Sequence, residues 1–269
     1  MIGLQKAHGG SAPRIPVHKP EIAPYSYPMA ARKKKTTRKK KAPPKPSLFR
    51  RLMRWCLRGV CGVFVLAVLL VVLFAFVNPP TNAYILSESR RLGGVKQIWT
   101  PLEKIAPAMV QSAVAAEDAN FCKHWGFDMV AIRKAIEEGS NRGASTISQQ
   151  TVKNVYLWQG RSWVRKAMEA LMTPLVEAIW TKKRIVEVYL NIAEFDEGVF
   201  GIGAASRHYF GVAPDQLSAT QAARLAAILP SPKKRSASNP SSFVRKRTRQ
   251  IRGGAATIRA DGRADCFES

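Results

Sequence analysis

Two adjacent acids, Glu117 and Asp118, end the Ala/Val-rich run Val114-Ala115-Ala116 and lead into Asn120-Phe121-Cys122-Lys123-His124-Trp125-Gly126. Apolar neighbours disfavour the charged form of a carboxyl and raise its pKa, which suits a proton-transfer group working near neutral pH. Taken alone, such a pair is more often solvated, and a histidine such as His124 more often packs than catalyses. The next polar segment, Arg142 to Asn154, gathers Gly143, Ser145, Thr146, Gln149, Gln150, Lys153 and Asn154 where a glycine-started turn enters a helix. Hydroxyls, amides and a lysine so placed can hold sugar hydroxyls and phosphate oxygens. A helix start rich in capping residues would read the same way. Arg161, Arg165, Lys166 and Glu169 follow, with Arg165 and Glu169 four apart on one helix face, the spacing of a surface ion pair as well as of a functional one.

The elements that must carry these groups read as helices. Thr100-Pro101-Leu102-Glu103 is a capping box, and Pro107 implies a break or kink shortly after it. Asp128 can cap the stretch in which Met129, Ile132, Ala135 and Ile136 recur at helical spacing, closed by Gly139. Helical periodicity continues over 162–180 and 183–192, and Ser218 to Gln221 caps an Ala/Leu helix that Pro230 ends. Strand signals are confined to short apolar pieces near Ile98 and Trp99. The expected class is mainly α.

A formal charge of +25 invites a nucleic-acid reading, but the excess sits at the two ends: +15 over 1–58, +7 over 233–269 and only +3 between them. A folded nucleic-acid binder carries its basic stripe on the domain itself, so no nucleic-acid partner is expected. Four cysteines are too few for a disulfide scaffold. Cys56 and Cys61 fall at the apolar run and Cys266 near the terminus, leaving Cys122 in the body without an expected partner. No CxxC pair supports a zinc site.

From Val60 to Val77 the chain is apolar, and no charge occurs between Arg58 and Glu88. About 20 apolar residues cross a bilayer core as a helix. The Lys/Arg runs between Arg32 and Arg58 should stay on the cytoplasmic side, placing the body outside the cytoplasm as a single-pass protein of the inner membrane. The expected organisation is a basic tail over 1–58, a membrane helix over 59–77 and a linker over 78–94. A catalytic body follows over 95–232, then a frayed or surface-bound basic tail over 233–269. Met29 is the expected natural start, with the Pro/Gly-rich residues 1–28 disordered or a start-site artefact; mass spectrometry of the native N-terminus checks this.

Together the acid, amide and cation segments make four motifs: Glu117-Asp118 with Phe121, His124 and Gly126; Gly143, Ser145-Thr146, Gln149-Gln150 and Lys153-Asn154; Arg165-Lys166 with Glu169; and Glu187 with Tyr189-Leu190-Asn191. In this order over about 95–232 the chain resembles the peptidoglycan glycosyltransferases, specifically the single-function type that lacks a penicillin-binding domain. The resemblance implies a lysozyme-like helical fold and a lipid-linked disaccharide-pentapeptide substrate, joined into β-1,4 glycan with release of polyprenyl pyrophosphate. It implies Glu117 as catalytic base and Glu169 as the second acid near the donor pyrophosphate, with a divalent metal, Mg²⁺ or Mn²⁺, as a candidate there and no organic cofactor. Lys153, Arg161 and Arg165 would offset the leaving group's charge, and Lys166 belongs to the implied substrate-binding set. Ser145, Gln149 and Asn154 would position the donor; Asp118, Phe121, His124, Gly143, Thr146 and Gln150 complete the implied substrate-binding set, and Glu187, Tyr189 and Asn191 a structural motif. Expected partners are the growing glycan, membrane lipids and other cell-wall synthases or division proteins. A lytic glycan-cleaving enzyme and a non-catalytic membrane scaffold are the competing readings. Ser231 to Lys234 fits a Ser-x-x-K pattern, but no KTG follows it here, so the match is read as a coincidence and transpeptidation is not expected.

Overall fold

The computed structural model describes residues 14–16, 20–21, 26, 47–139 and 145–268. Helix α1 (Leu48–Phe76) has 29 residues, is almost wholly exposed, and is the one described helix long and apolar enough to cross a membrane. At ~1.5 Å per residue it is about 43 Å long, more than the hydrocarbon core requires. It begins well before residue 59, since the basic residues that precede the apolar run also favour helix.

The stretch expected as a linker is largely a second helix, α2 (Ala83–Leu92). Asn82 caps it, its side chain accepting from the Ile85 amide at 2.8 Å, and Ile85 and Glu88 are buried. Strand β1 (Lys96–Gln97) and a 3₁₀ turn over 102–104 lead to α3 (Pro107–Glu117). Pro107 does not kink a helix here but starts one, at the position where its missing N–H costs nothing. Every residue of α3 from Met109 to Val114 is buried. Small side chains on all faces let neighbouring helices approach, so α3 becomes the central post of the core.

Helix α4 (Met129–Glu137) is capped by Asp128, as its sequence predicts, and α5 (Ile147–Tyr156) opens on a Thr146/Gln149 capping box. Then come α6 (Trp163–Ile179), α7 (Lys182–Ile192), and β2 (Glu194–Asp196) and β3 (Val199–Phe200), which with β1 form a small sheet of order β1-β3-β2. Helices α8 (Ile202–Phe210) and α9 (Ala219–Ile228) follow. The segment expected to fray is instead a 19-residue helix, α10 (Ser242–Ala260), followed by the short α11 (Asp265–Glu268). Val244, Thr248, Ile251, Ala255 and Ile258 are buried on α10, an i, i+4, i+7 stripe hidden among arginines that its net charge obscures. Helices α3, α9 and α10 pack on one another, and α5 packs on α6 and α7. Burial of each such aliphatic side chain is worth about 1.5–3 kcal/mol.

The apolar helix is fastened to the body at its C-terminal end, where carbonyls lack helical partners. Trp180 Nε1 donates to Val71 O at 2.8 Å. Arg184 donates to Phe74 O at 3.1 and 3.0 Å, to Val77 O at 2.9 Å and to Asn78 Oδ1 at 2.9 Å. One arginine therefore caps the end of α1.

Candidate active site

Glu117 is the last residue of α3. Its Oε2 accepts from Gln150 Nε2 of α5 at 3.0 Å. Burial pushes its carboxyl above the ordinary range, against the opposing effects of the Gln150 bond and of the Arg247 and Lys153 charges. A carboxylate so placed is a stronger base than a solvated one.

Its neighbour Asp118 does different work. Asp118 is buried; Oδ2 accepts from the Ile147 amide at 3.0 Å and Oδ1 pairs with His124 Nε2 at 2.8 Å. It ties the base-bearing segment to the start of α5, and a carboxylate at that helix N-terminus is also favoured by the helix dipole. Several residues that the family resemblance implies for substrate binding are buried in the framework. Phe121 is fully buried, edge-on to the His124 ring, with Lys182 Nζ 4.4 Å from its centroid. The His124 side chain is 8% exposed and turned to Asp118. Thr146 and Gln149 are buried in the α5 cap, and Thr146 Oγ1 donates to Gly126 O at 2.7 Å. These side chains cannot reach a ligand without leaving the core. Gly126 has φ +85°, and a Cβ there would stand 2.5 Å from the Thr173 methyl, so its glycine is required by backbone and space together. Gly143 lies outside the described residues.

The second acid is arranged otherwise. Glu169 is buried on α6, with Arg165 Nη1 on one oxygen at 2.8 Å and Lys166 Nζ on the other. Lys166 also donates to Ser145 Oγ at 3.1 Å. The Arg165–Glu169 pair is thus part of a three-charge cluster built around a buried carboxylate. Both Glu169 oxygens are occupied by cations, and no group of three or more His, Cys, Asp or Glu among the described residues is placed to hold a metal ion. Glu169 as held here does not fit the role of metal ligand.

Lys153 of α5 interacts with both acids; burial lowers its pKa, opposed by Glu169 and, more weakly, Glu117. Arg161, Arg165 and Lys166 line a groove of about 310 Å³ with Ser162 and Trp163. Asn154 Oδ1 accepts from Gln159 at 3.2 Å. The fourth motif lies in the framework: buried Asn191 clips the Thr100 backbone through its amide N–H and O, Tyr189 is buried on α7, and Glu187 pairs with Arg184 at 3.0 Å.

Three functional features lie outside the motifs. Glu177, buried on α6, accepts from Ser148 Oγ at 2.5 Å and pairs with Lys182 at 2.8 Å, locking α5 to α6. Arg247 of α10 brings a cation to Glu117 from a segment expected to be a tail. Cys122, expected to be unpaired, forms a disulfide with Cys266 across 144 residues.

The chain matches the family model described as transglycosylase over residues 85–255. It is 56% identical over 220 residues to a biosynthetic peptidoglycan transglycosylase of Jannaschia sp. (strain CCS1), covering 82% of this chain and 92% of that protein. A protein of the same name from Caulobacter vibrioides is 46% identical over 222 residues, covering 81% and 97%. Another from Chromohalobacter salexigens is 47% identical over 226 residues, covering 78% and 96%.

Proposed function

The chain belongs to the transglycosylase family, and from that premise we propose that it polymerises peptidoglycan strands, passing the growing lipid-linked glycan to the 4-hydroxyl of a lipid-linked disaccharide-pentapeptide. The observation that carries the reading is the unequal treatment of two acids, the part-buried Glu117 and the buried Glu169. Glu117 keeps one neutral hydrogen-bond donor and a raised pKa, whereas Glu169 is neutralised on both oxygens.

In this mechanism the acceptor oxygen forms its bond to the donor's anomeric carbon while Glu117 takes the hydroxyl proton. The bond from that carbon to the pyrophosphate oxygen breaks, and polyprenyl pyrophosphate leaves with the electron pair. Lys153, Arg161, Arg165 and Lys166 balance the leaving charge, the role for which fixed cations outperform water. A neutral glycan, the substrate of a lytic enzyme, would have no use for them. One displacement converts an α-linked donor into a β-1,4 bond without a covalent sugar-enzyme intermediate.

A membrane setting suits this substrate. Helix α1 supplies an anchor, its basic N-terminal flank favours the cytoplasmic side, and the Cys122–Cys266 bond suits an oxidising compartment for the body. Confinement to the bilayer raises the effective concentration of a lipid-linked substrate. Trp163, Val164 and Leu171 of α6 are exposed apolar side chains beside the cationic groove, which favours contact with the bilayer surface there.

The test is incubation of the detergent-solubilised full chain with radiolabelled lipid-linked disaccharide-pentapeptide. Polymer that lysozyme digests, with β configuration at the new bond, is expected. Cleavage of preformed glycan without synthesis would replace this reading with a lytic one; neither activity in a folded protein would leave a scaffold.

A further inference from the structure

The C-terminal segment, residues 242–268, touches the base-bearing segment both upstream and downstream of Glu117. Upstream, Glu268 Oε1 accepts from Gln111 Nε2 of α3 at 2.6 Å, and Arg247 Nη2 donates to Ala116 O at 3.0 Å. Downstream, Arg263 Nη1 donates to Ala119 O at 3.1 Å, Phe267 packs against Phe121 with centroids 6.4 Å apart, and Cys266 is bonded to Cys122. None of these residues of the segment belongs to the four motifs. The helix stops at Glu117, so the carbonyls around it lack intrahelical donors and must be satisfied from outside. Arg247 and Arg263 do this, and a guanidinium at a helix C-terminus is also favourably placed in the helix dipole.

We infer that residues 242–268 form a clamp that fixes the position of Glu117, with Arg247 as its positioning residue and the Cys122–Cys266 bond as its lock. The inference rests on the reading of Glu117 as the base. Arg247 acts twice, by holding the carbonyl one residue before the base and by setting a positive charge near its carboxylate. The other charged or titratable groups that interact with Glu117 are Asp118 beside it, Lys153 on α5 and Tyr189 on α7. Among the described residues, Arg247 and Lys153 are cations acting on Glu117, and Arg247 is the one of the two that also restrains the backbone. Misplacing a base by a fraction of an ångström costs rate rather than substrate affinity.

The test measures kcat, KM and the kcat–pH profile of the full oxidised chain for Arg247→Ala, Arg247→Met and Arg247→Lys, with Glu117→Gln as reference. Met keeps an unbranched aliphatic stem without the charge, so a folding failure of the Ala variant does not decide the matter. Arg247→Met is expected to lower kcat about 10-fold with KM within about twofold, and to move the acid limb of the profile to higher pH, because a charge favouring ionised Glu117 is gone. Arg247→Lys is expected to recover most of the rate and to return the acid limb. Wild-type kcat with an unmoved acid limb in Arg247→Met would overturn the clamp. So would a loss confined to KM, which marks a substrate contact, or a fall in Tm with an unmoved profile, which marks packing alone. An active Glu117→Gln would remove the base itself, whereas an inactive Glu117→Gln beside an unaffected Arg247→Met removes only the clamp.

Discussion

Around Glu117 the polypeptide is held by hydrogen bonds to its backbone, a disulfide and a C-terminal segment that reaches back over it, and the carboxylate itself takes one neutral donor, while around Glu169 the same protein sets cations directly on the carboxylate. The Glu117 region surrounds one carboxylate with an amide, an aromatic core and distant cations. The Glu169 region places two cations directly on the carboxylate and lines the adjoining groove with a third, beside exposed apolar side chains. The first arrangement keeps a carboxyl basic and still. The second keeps cations in place through a buried counter-charge while leaving part of their surface free for an anion: the Lys166 side chain is 40% exposed and that of Glu169 3%. The two acids thus receive opposite electrostatic environments, which in the proposed mechanism separates proton transfer from leaving-group stabilisation.

That contrast is sharpened first by Lys153, the cation common to both regions. Lys153→Ala is expected to lower kcat about 100-fold, since an oriented group facing developing charge is worth roughly that much; steady-state polymerisation rates read it. Next, Glu169→Gln and Glu117→Gln should change stability in opposite directions at pH 8. Glu169→Gln leaves Arg165 and Lys166 without their counter-charge and is expected to cost about 1–3 kcal/mol, reduced from the fully buried case by solvent around Lys166. Glu117 has a folded pKa raised above its ordinary 4.5, so its contribution to stability is present below that value and lost as pH rises through the folded one. Glu117→Gln should therefore raise Tm at pH 8, with the gain shrinking toward pH 4. Thermal melts at the two pH values decide both signs.

A smaller effect on the rate is expected at the lock. Reduction, or the pair Cys122→Ala with Cys266→Ala, should cost about 2–4 kcal/mol of stability by freeing a long loop in the unfolded chain. The rate should fall only a few-fold while Arg247 still holds its carbonyl. Smallest of all, Leu171→Asp on the exposed face of α6 should leave the rate in detergent within about twofold and reduce it in liposomes, where that face meets lipid.

Much of this was legible in the residues. Helix caps at Asp128 and Ser218, the long apolar helix and the helical class all follow from local signals, and the structure places Glu117, Gln150, Lys153, Arg165, Lys166 and Glu169 within one connected set of interactions. What was illegible depended on distance along the chain. The Cys122–Cys266 pairing spans 144 residues and leaves no local trace, although two cysteines outside the apolar run form an even count that hints at a pair. The burial stripe of α10 was masked by its arginines, which hid both the helix and Arg247. Motif residues such as Phe121 and Thr146 are buried, which spacing could not tell, because it reports that a residue type is needed and not whether it faces solvent or core.

The most direct measurement compares polymerisation of lipid-linked disaccharide-pentapeptide by the wild-type chain and by Glu117→Gln, at matched Tm and with the disulfide intact. Glu117 as the base requires lysozyme-digestible polymer from the wild type and a rate at least about 1000-fold lower from the variant. Polymer at near wild-type rate from Glu117→Gln would contradict it.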